Sequence, residues 1–454
     1  MNDLTSRQRK LLYLGGIILL FIPIILLARP PEPALGKVVQ PNPGGTLARM
    51  RVEHNLGESD LGNVDPASST MNLLLLGFRG IATSILWMDA QDQQRNKDWA
   101  ALRGTTESII LLQPHFLKVW HFQGWNLAYN VSAEWDAVAD RYYWVKEGIK
   151  FFKKGRDRNE KYAELYWYIG DTTGKKIGRS DEWKQFRRFY RKDPDEVRFK
   201  GLPDKDVNPR GVDNYEEAHV WFQEANNTVD KYGHEQHIMA RYLFRAYPAR
   251  AMFDLAAALQ REGEFNELGR NAWREGYEYW TTRYGKEEFE CPAGTIHMEV
   301  PADELERMRR DEDANNVDDS ARKSHWVGRY QNDTNYRFWR TKSLVESQKE
   351  MSEAHREMYE AEQALFKADT TTARELYLSG MARYEKILNE YPDLKGEDEV
   401  VEEGLLGQLG WREALALDEE PVPDEYPLKD LWESHPQKRE SAKEEFNRRR
   451  RGQR

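Results

Sequence analysis

Apolar positions are spread unevenly along the chain. The first block is continuous: Leu11 to Ala28 reads LLYLGGIILLFIPIILLA and holds no charge. As a helix rising about 1.5 Å per residue it covers about 27 Å, close to the hydrocarbon thickness of a bilayer. Arg7, Arg9 and Lys10 precede it, and Arg29 and three prolines follow. Positive charge before the span predicts a cytoplasmic N-terminus and an exported bulk. A cleaved signal would have a shorter apolar region ending in small residues. Leu26-Leu27-Ala28-Arg29-Pro30 is a poor cleavage site, so a retained anchor over residues 1–28 is expected. Pro23 is tolerated inside a membrane helix. Residues 29–70 are rich in Pro and Gly at first and then aperiodic, which predicts a semi-rigid spacer.

From Met71 the period becomes helical. Leu74, Phe78, Ile81, Ile85 and Met88 follow i, i+3 and i+4 spacing, with Trp87 beside them. Arg79 interrupts the run, and Gly77, Gly80, Thr83 and Ser84 thin it. It reads as the buried first helix of a domain rather than a second span. Trp99 to Leu112 is helical and stops at Pro114. Trp120, Gly124 and Leu127 place a large knob over a small residue, which lets two helices approach closely. Tyr142 to Phe152, ending near Gly155, then 163–170 and 183–190, continue the series.

The same grammar returns later. Leu255, Ala256 and Leu259 share a helix, Gly263 and Phe265 make a turn, and Leu268, Ala272 and Tyr279 follow. Ala361, Ala364, Ala368, Ala373, Tyr377 and Gly380 repeat the alternation, and a helix over 373–391 closes at Pro392. The predicted fold class is therefore mostly α: an irregular array of α-hairpins over residues 71–417. Insertions are expected near 191–213 and 286–320. Prolines at 421, 423 and 427 end the body, and the charged tail within 418–454 is expected to be helical only transiently.

Composition narrows the function. The chain has 454 residues, too many for one ordinary core, with 39% hydrophobic and 32% charged residues. Its 15 Trp and 22 Tyr exclude a disordered chain. A net charge of −10 does not favour generic nucleic-acid binding. The single cysteine, Cys291, excludes an intramolecular disulfide, a cysteine zinc site and c-type haem.

Candidate chemistry is thin. Gly170-Asp-Thr-Thr-Gly174-Lys175-Lys176 is one residue short of a phosphate loop, and a lysine stands where the magnesium-binding hydroxyl belongs. A helix-ending turn is expected there. His234 and His237 could share a helix face, but HExxH is absent and no third ligand is evident. Asp311, Glu312, Asp313, Asp318 and Asp319 lack EF-hand spacing and read as a solvated acidic loop. The terminal run Arg448-Arg449-Arg450-Arg451 reads as a solvated tail. No nucleophile motif is present. Neither a metal site nor a cofactor is expected, no catalytic residue is named, and the chain is expected not to be an enzyme.

In three windows, about 99–130, 249–280 and 356–392, the chain resembles a degenerate tetratricopeptide repeat, with small residues at fixed offsets, a turn glycine and a closing proline. Trp87-Met88-Asp89 with Gln93, and the run from Pro114 to Ser132 (PHFLKVWHFQGWNLAYNVS), are similar to phrases in membrane-anchored tetratricopeptide-like proteins of planctomycete-type bacteria. That resemblance implies an architecture and not an activity.

The expectation is an envelope scaffold whose hairpins line a groove for other proteins. Trp120, Trp125, Tyr129, Tyr142 and Trp144 are the candidate contact residues. Neither a nucleic-acid partner nor a small-molecule substrate is expected. A helical glycan-processing enzyme, or an accessory subunit of a transport or secretion complex, are the competing classes.

Overall fold

The computed structural model describes residues 79–451, with isolated positions before them. The expected anchor over 11–28 and spacer over 29–70 lie outside the described residues apart from those positions. Among the described residues, no helix is long and apolar enough to cross a membrane.

The chain is mostly helical. Helix α1 (Arg79–Arg95) pairs with α2 (Trp99–Leu112). Helix α3 (Leu117–Trp125) runs into a π-helical turn, Asn126–Val131, and packs on α4 (Val138–Arg158). Helix α5 (Ala163–Asp171) continues through a second π turn, Thr172–Lys176, and α6 (Trp183–Arg191) follows. Helix α7 (Asn214–Tyr232) packs on α5 and on α8 (Tyr247–Arg261). Helix α9 (Glu267–Glu278) ends in a third π turn, Tyr279–Tyr284.

A two-stranded antiparallel hairpin, β1 (Phe289–Cys291) and β2 (Gly294–Ile296), pairs Phe289 with Ile296. Then come α10 (Ala302–Ala314), α11 (Lys323–Thr334), α12 (Tyr336–Glu346), α13 (Lys349–Phe366), α14 (Thr370–Glu390), α15 (Asp398–Leu417), α16 (Lys429–Ser434) and α17 (Arg439–Arg451).

Packing runs in series: α9 on α12, α12 on α13, α13 on α14, α14 on α15, α15 on α17. The apolar interior is accordingly divided. One core is built around Trp120, Tyr142, Ile149 and Phe186, a second around Phe253, Trp280 and Tyr336, and a third around Met358, Tyr377 and Trp411. Smaller clusters on α7, including Phe222 and Val229, lie between the first two. This layout is an irregular array of α-hairpins.

Local chemistry sets the helix starts. Asp98, Asn266 and Asp369 accept backbone N–H bonds at the N-termini of α2, α9 and α14. Asp213 and Glu216 form a full capping box on α7, which ends at Gly233 with φ 62°. The insertion at 191–213 is pinned rather than loose. The buried Lys146 ammonium meets Asp193 and lies 3.3 Å from Asp204, which also accepts from Lys150 at 2.9 Å. Arg187, fully buried, ties α6 to Asp213 and, at 2.7 Å, to Glu262 at the end of α8.

Four expectations are corrected here. The stripe Ile81, Ile85 and Met88 does not face the interior: these residues are exposed, and α1 packs through Thr83, Leu86, Trp87 and Ala90. Helical spacing located the helix, but two of its faces carry apolar side chains and periodicity does not choose between them. The insertion at 286–320 holds the β-hairpin and α10, so Asp311, Glu312 and Asp313 are helical residues rather than a loop. Gly170–Lys176 does not end a helix; the chain passes on through the π turn. The tail holds a docked helix, with α17 burying Ala442 and Phe446 against the third core.

Candidate functional site

The first two π turns lie in contact and assemble a half-exposed strip of rings and charges. A π turn carries one residue more than an α turn, so the side chains after it are re-aimed. Tyr129 sits in the first turn and Lys176 in the second, and the Lys176 ammonium lies 5.1 Å from the Tyr129 ring centre. Trp125, exposed at 41%, stacks on Tyr129 at 5.3 Å. Nearby, exposed Trp135 stacks on Trp144 at 6.3 Å, and Tyr143 meets Trp144 edge-on at 5.4 Å. Arg141 connects the two groups: it donates to the Trp135 carbonyl at 2.5 Å and pairs with Glu182.

Electrostatics tune this strip. Burial pushes the Lys176 ammonium below its ordinary pKa; Glu182 opposes the shift and Arg141 adds to it. Burial and the Asp171 charge hold the Tyr129 phenol far above its usual range. His121 stacks on Tyr168 at 4.1 Å. Burial lowers its pKa against the pull of Asp171, which favours the neutral imidazole. The strip therefore offers flat rings, one partly desolvated ammonium and, at Tyr129, a hydroxyl held in its neutral form.

The five candidate contact residues divide. Trp125, Tyr129 and Trp144 belong to the strip. Trp120 and Tyr142 do not, since both are core side chains, 0% and 1% exposed. The Trp120 indole N–H donates to the Pro114 carbonyl at 2.7 Å, and Tyr142 packs against Phe186 and Phe189. Nothing outside the fold can reach them. Trp135, Lys176 and Tyr143 were missed, because only the packing of α4 on the π turns brings them to this face.

A second constellation was invisible in sequence. Glu346 closes α12, His355 lies on α13 and Glu403 on α15. His355 Nε2 faces Glu346 at 2.8 Å, and its Nδ1 faces Glu403 at 2.5 Å. Burial opposes the imidazolium, but the two carboxylates outweigh it and push the pKa up to about 10. Burial would raise Glu346, yet His355 and then Lys342 hold it below its ordinary value. The three side chains have the donor types of a metal site. Each ring nitrogen already faces a carboxylate, so a cation would have to displace the shared proton beside the Lys342 ammonium. The arrangement suits a buried ion triad that locks three helices together.

A third feature is a polar cleft of about 550 Å³ between α7 and the third π turn. Gln223, Asn226 and Tyr279 line it, with Asp230, Arg245 and Glu287. Arg245 pairs with Asp230 and, at 3.1 Å, with Glu287. Burial raises the Glu287 carboxyl despite Arg245, whereas the Arg245 hydrogen bond lowers that of Asp230.

The remaining motifs have structural uses. A Cβ on Gly170 would meet the Phe222 ring at 2.9 Å, so this glycine serves close packing, and Lys175 pairs with Asp171 at 2.6 Å. His234 and His237 lie in a loop, not on a helix, with ring centres 6.1 Å apart. Glu312 accepts from Ser324 at the start of α11, and Asp313 pairs with Arg322. The terminal arginines are exposed, as expected, and pair at the surface: Arg448 and Arg449 with Glu445, and Arg450 with Glu413.

No family model, no curated protein and no solved structure matches the chain.

Proposed function

We propose that this chain is a scaffold of tetratricopeptide-like hairpins, anchored by residues 11–28, that holds other proteins at the cell envelope. The observation carrying this reading is the exposed stack of Trp125 on Tyr129 with Lys176 beside it, continued by Trp135, Tyr143 and Trp144. Rigid aromatic side chains lose little entropy on contact and dominate binding energies at protein surfaces. The strip contains no nucleophile paired with a base, so recognition suits it better than bond cleavage. Export of the bulk rests on the charge asymmetry around residues 11–28.

The test is co-purification from solubilised membranes with the full chain as bait. Proteins retained by the wild type and lost from a Trp125→Ala/Tyr129→Ala variant of equal stability would support the scaffold. Identical eluates from both would sink it.

One observation favours a second reading, glycan processing. Asp230 and Glu287 share a polar cleft whose environment moves their pKa values apart, the pattern of an acid and base pair. Hydrolysis of cell-wall glycan that disappears in Glu287→Gln would replace the scaffold with this reading.

A further inference from the structure

Helix α7 carries two stripes. Phe222, Ala225 and Val229 fill the small apolar clusters between the first two cores. Gln223, Asn226, Asn227 and Asp230 follow i, i+3, i+4 and i+7 spacing, so four polar side chains share another face. This face lines the cleft of about 550 Å³ together with Tyr279 and Arg283 of the third π turn. Pockets that hold small molecules run from about 300 to 1,000 Å³. A π turn re-aims the side chains it carries and recurs at functional sites.

Two features of the wall have no use in the fold. Asn226 is 9% exposed, yet its carboxamide oxygen has no hydrogen-bond partner among the described residues. A buried amide left unmet costs free energy, which a ligand group can recover. Arg283 is exposed at the cleft and forms no ion pair among the described residues. The other lining charges are committed. Asp230 and Glu287 both face Arg245, and Glu287 also lies 3.6 Å from Arg241, which pairs with Glu235.

These features select a ligand class. Carboxamides both donate and accept, as hydroxyl groups do, so the α7 face matches a hydroxyl-rich molecule. The lining charges sum to zero, and the Asp230 and Glu287 carboxylates repel a compact dianion such as phosphate. The one unpaired guanidinium fits a single carboxylate through two parallel hydrogen bonds.

We propose that this cleft binds a sugar acid, with its hydroxyls on the carboxamides of α7 and its carboxylate on Arg283. The assignment concerns the cleft of the glycan-processing reading but does not rest on it, since binding requires no bond cleavage. A chain that binds a sugar acid and hydrolyses nothing keeps this site and loses that reading.

The experiment is titration of the full chain with D-glucuronate, D-glucose and inorganic phosphate, followed by ligand-observed NMR. Saturable glucuronate binding is expected, at least about tenfold tighter than glucose or phosphate, as for a charge-assisted bidentate contact. Arg283→Gln should abolish that preference and leave glucose binding as it was. Asn226→Ala should weaken both sugars. Arg283 is exposed, so an unchanged urea midpoint in Arg283→Gln separates lost binding from lost folding.

No saturable glucuronate binding by the wild-type chain would overturn the proposal. So would glucuronate binding that neither substitution alters, which would place it elsewhere. Phosphate binding tighter than glucuronate would make the cleft a plain anion site and overturn the sugar-acid assignment.

Discussion

A Cβ placed on Gly148 would lie 2.7 Å from the carbonyl oxygen of Gly124. Helices α3 and α4 therefore touch backbone to backbone. The same crossing is reinforced on both sides, because Gly124 faces the Phe152 ring and Gly155 faces the Trp120 ring. Gly148→Ala has no flexible neighbour to push aside. Overpacking of this kind costs about 1–3 kcal/mol, and urea unfolding should report at least that loss. Gly104→Ala is the control. That glycine is helical and exposed, with nothing within 4 Å, and the change should stabilise by about 0.5–1 kcal/mol through backbone entropy.

The His355 triad predicts a pH dependence of definite sign. Its folded pKa, about 10, lies above the ordinary histidine value of 6.5. The stabilisation is fully present below pH 6.5 and is lost as pH rises towards 10. Across that window stability falls by up to about 1.4 kcal/mol per pH unit from this group. The Glu346 contribution runs the other way: it is present above the ordinary carboxylate value and is lost as pH falls through the lower folded value. His355→Gln should cost about 3 kcal/mol at pH 7, since buried Glu346 then keeps only Lys342 as a countercharge. It should also flatten the fall in urea midpoint between pH 7 and 10. An unchanged slope would show that His355 is neutral in the fold.

The C-terminal helix is part of the third core. Phe446 is 3% exposed and packs near Phe366 at 6.1 Å. Phe446→Ala should cost about 3 kcal/mol and release α17. Hydrogen exchange is the measurement: amides of residues 439–451 should exchange much faster, while those of α2 and α4 keep their protection. Uniform exchange before and after the change would mean that α17 contributes nothing to the array.

Much of the fold could be read from the sequence. The helix over 99–112 matched to the residue, because Asp98 caps it and Pro114 follows it. The close crossing of α3 and α4 was legible from Trp120 and Gly124. A helical period locates a stripe but not the direction it faces, so Ile81 and Ile85 were placed inside and Trp120 was offered as a contact. The π turns leave no local signature, since Asn126–Val131 and Thr172–Lys176 read as ordinary helix or turn. The Glu346, His355 and Glu403 triad joins three helices, and only packing brings it together. The tail looked too charged to dock, because two buried residues, Ala442 and Phe446, are a faint signal among thirteen.

The aromatic strip should be nearly silent in stability. Trp125 is exposed, so Trp125→Ala should change unfolding free energy by no more than about 0.5 kcal/mol. Affinity for a bound protein should fall by about 2 kcal/mol or more, some thirtyfold, if the indole is a central contact. A variant that loses stability and binding in proportion would make Trp125 structural instead.

The scaffold reading stands or falls on whether the Trp125 and Tyr129 face meets another protein in the cell. A photoreactive benzoylphenylalanine in place of Trp125, in the full chain and in intact cells, measures this at one position. The account predicts discrete higher-mass adducts at residue 125 and none when the same group replaces Val197. Adducts absent from residue 125, or equal at both positions, would contradict it.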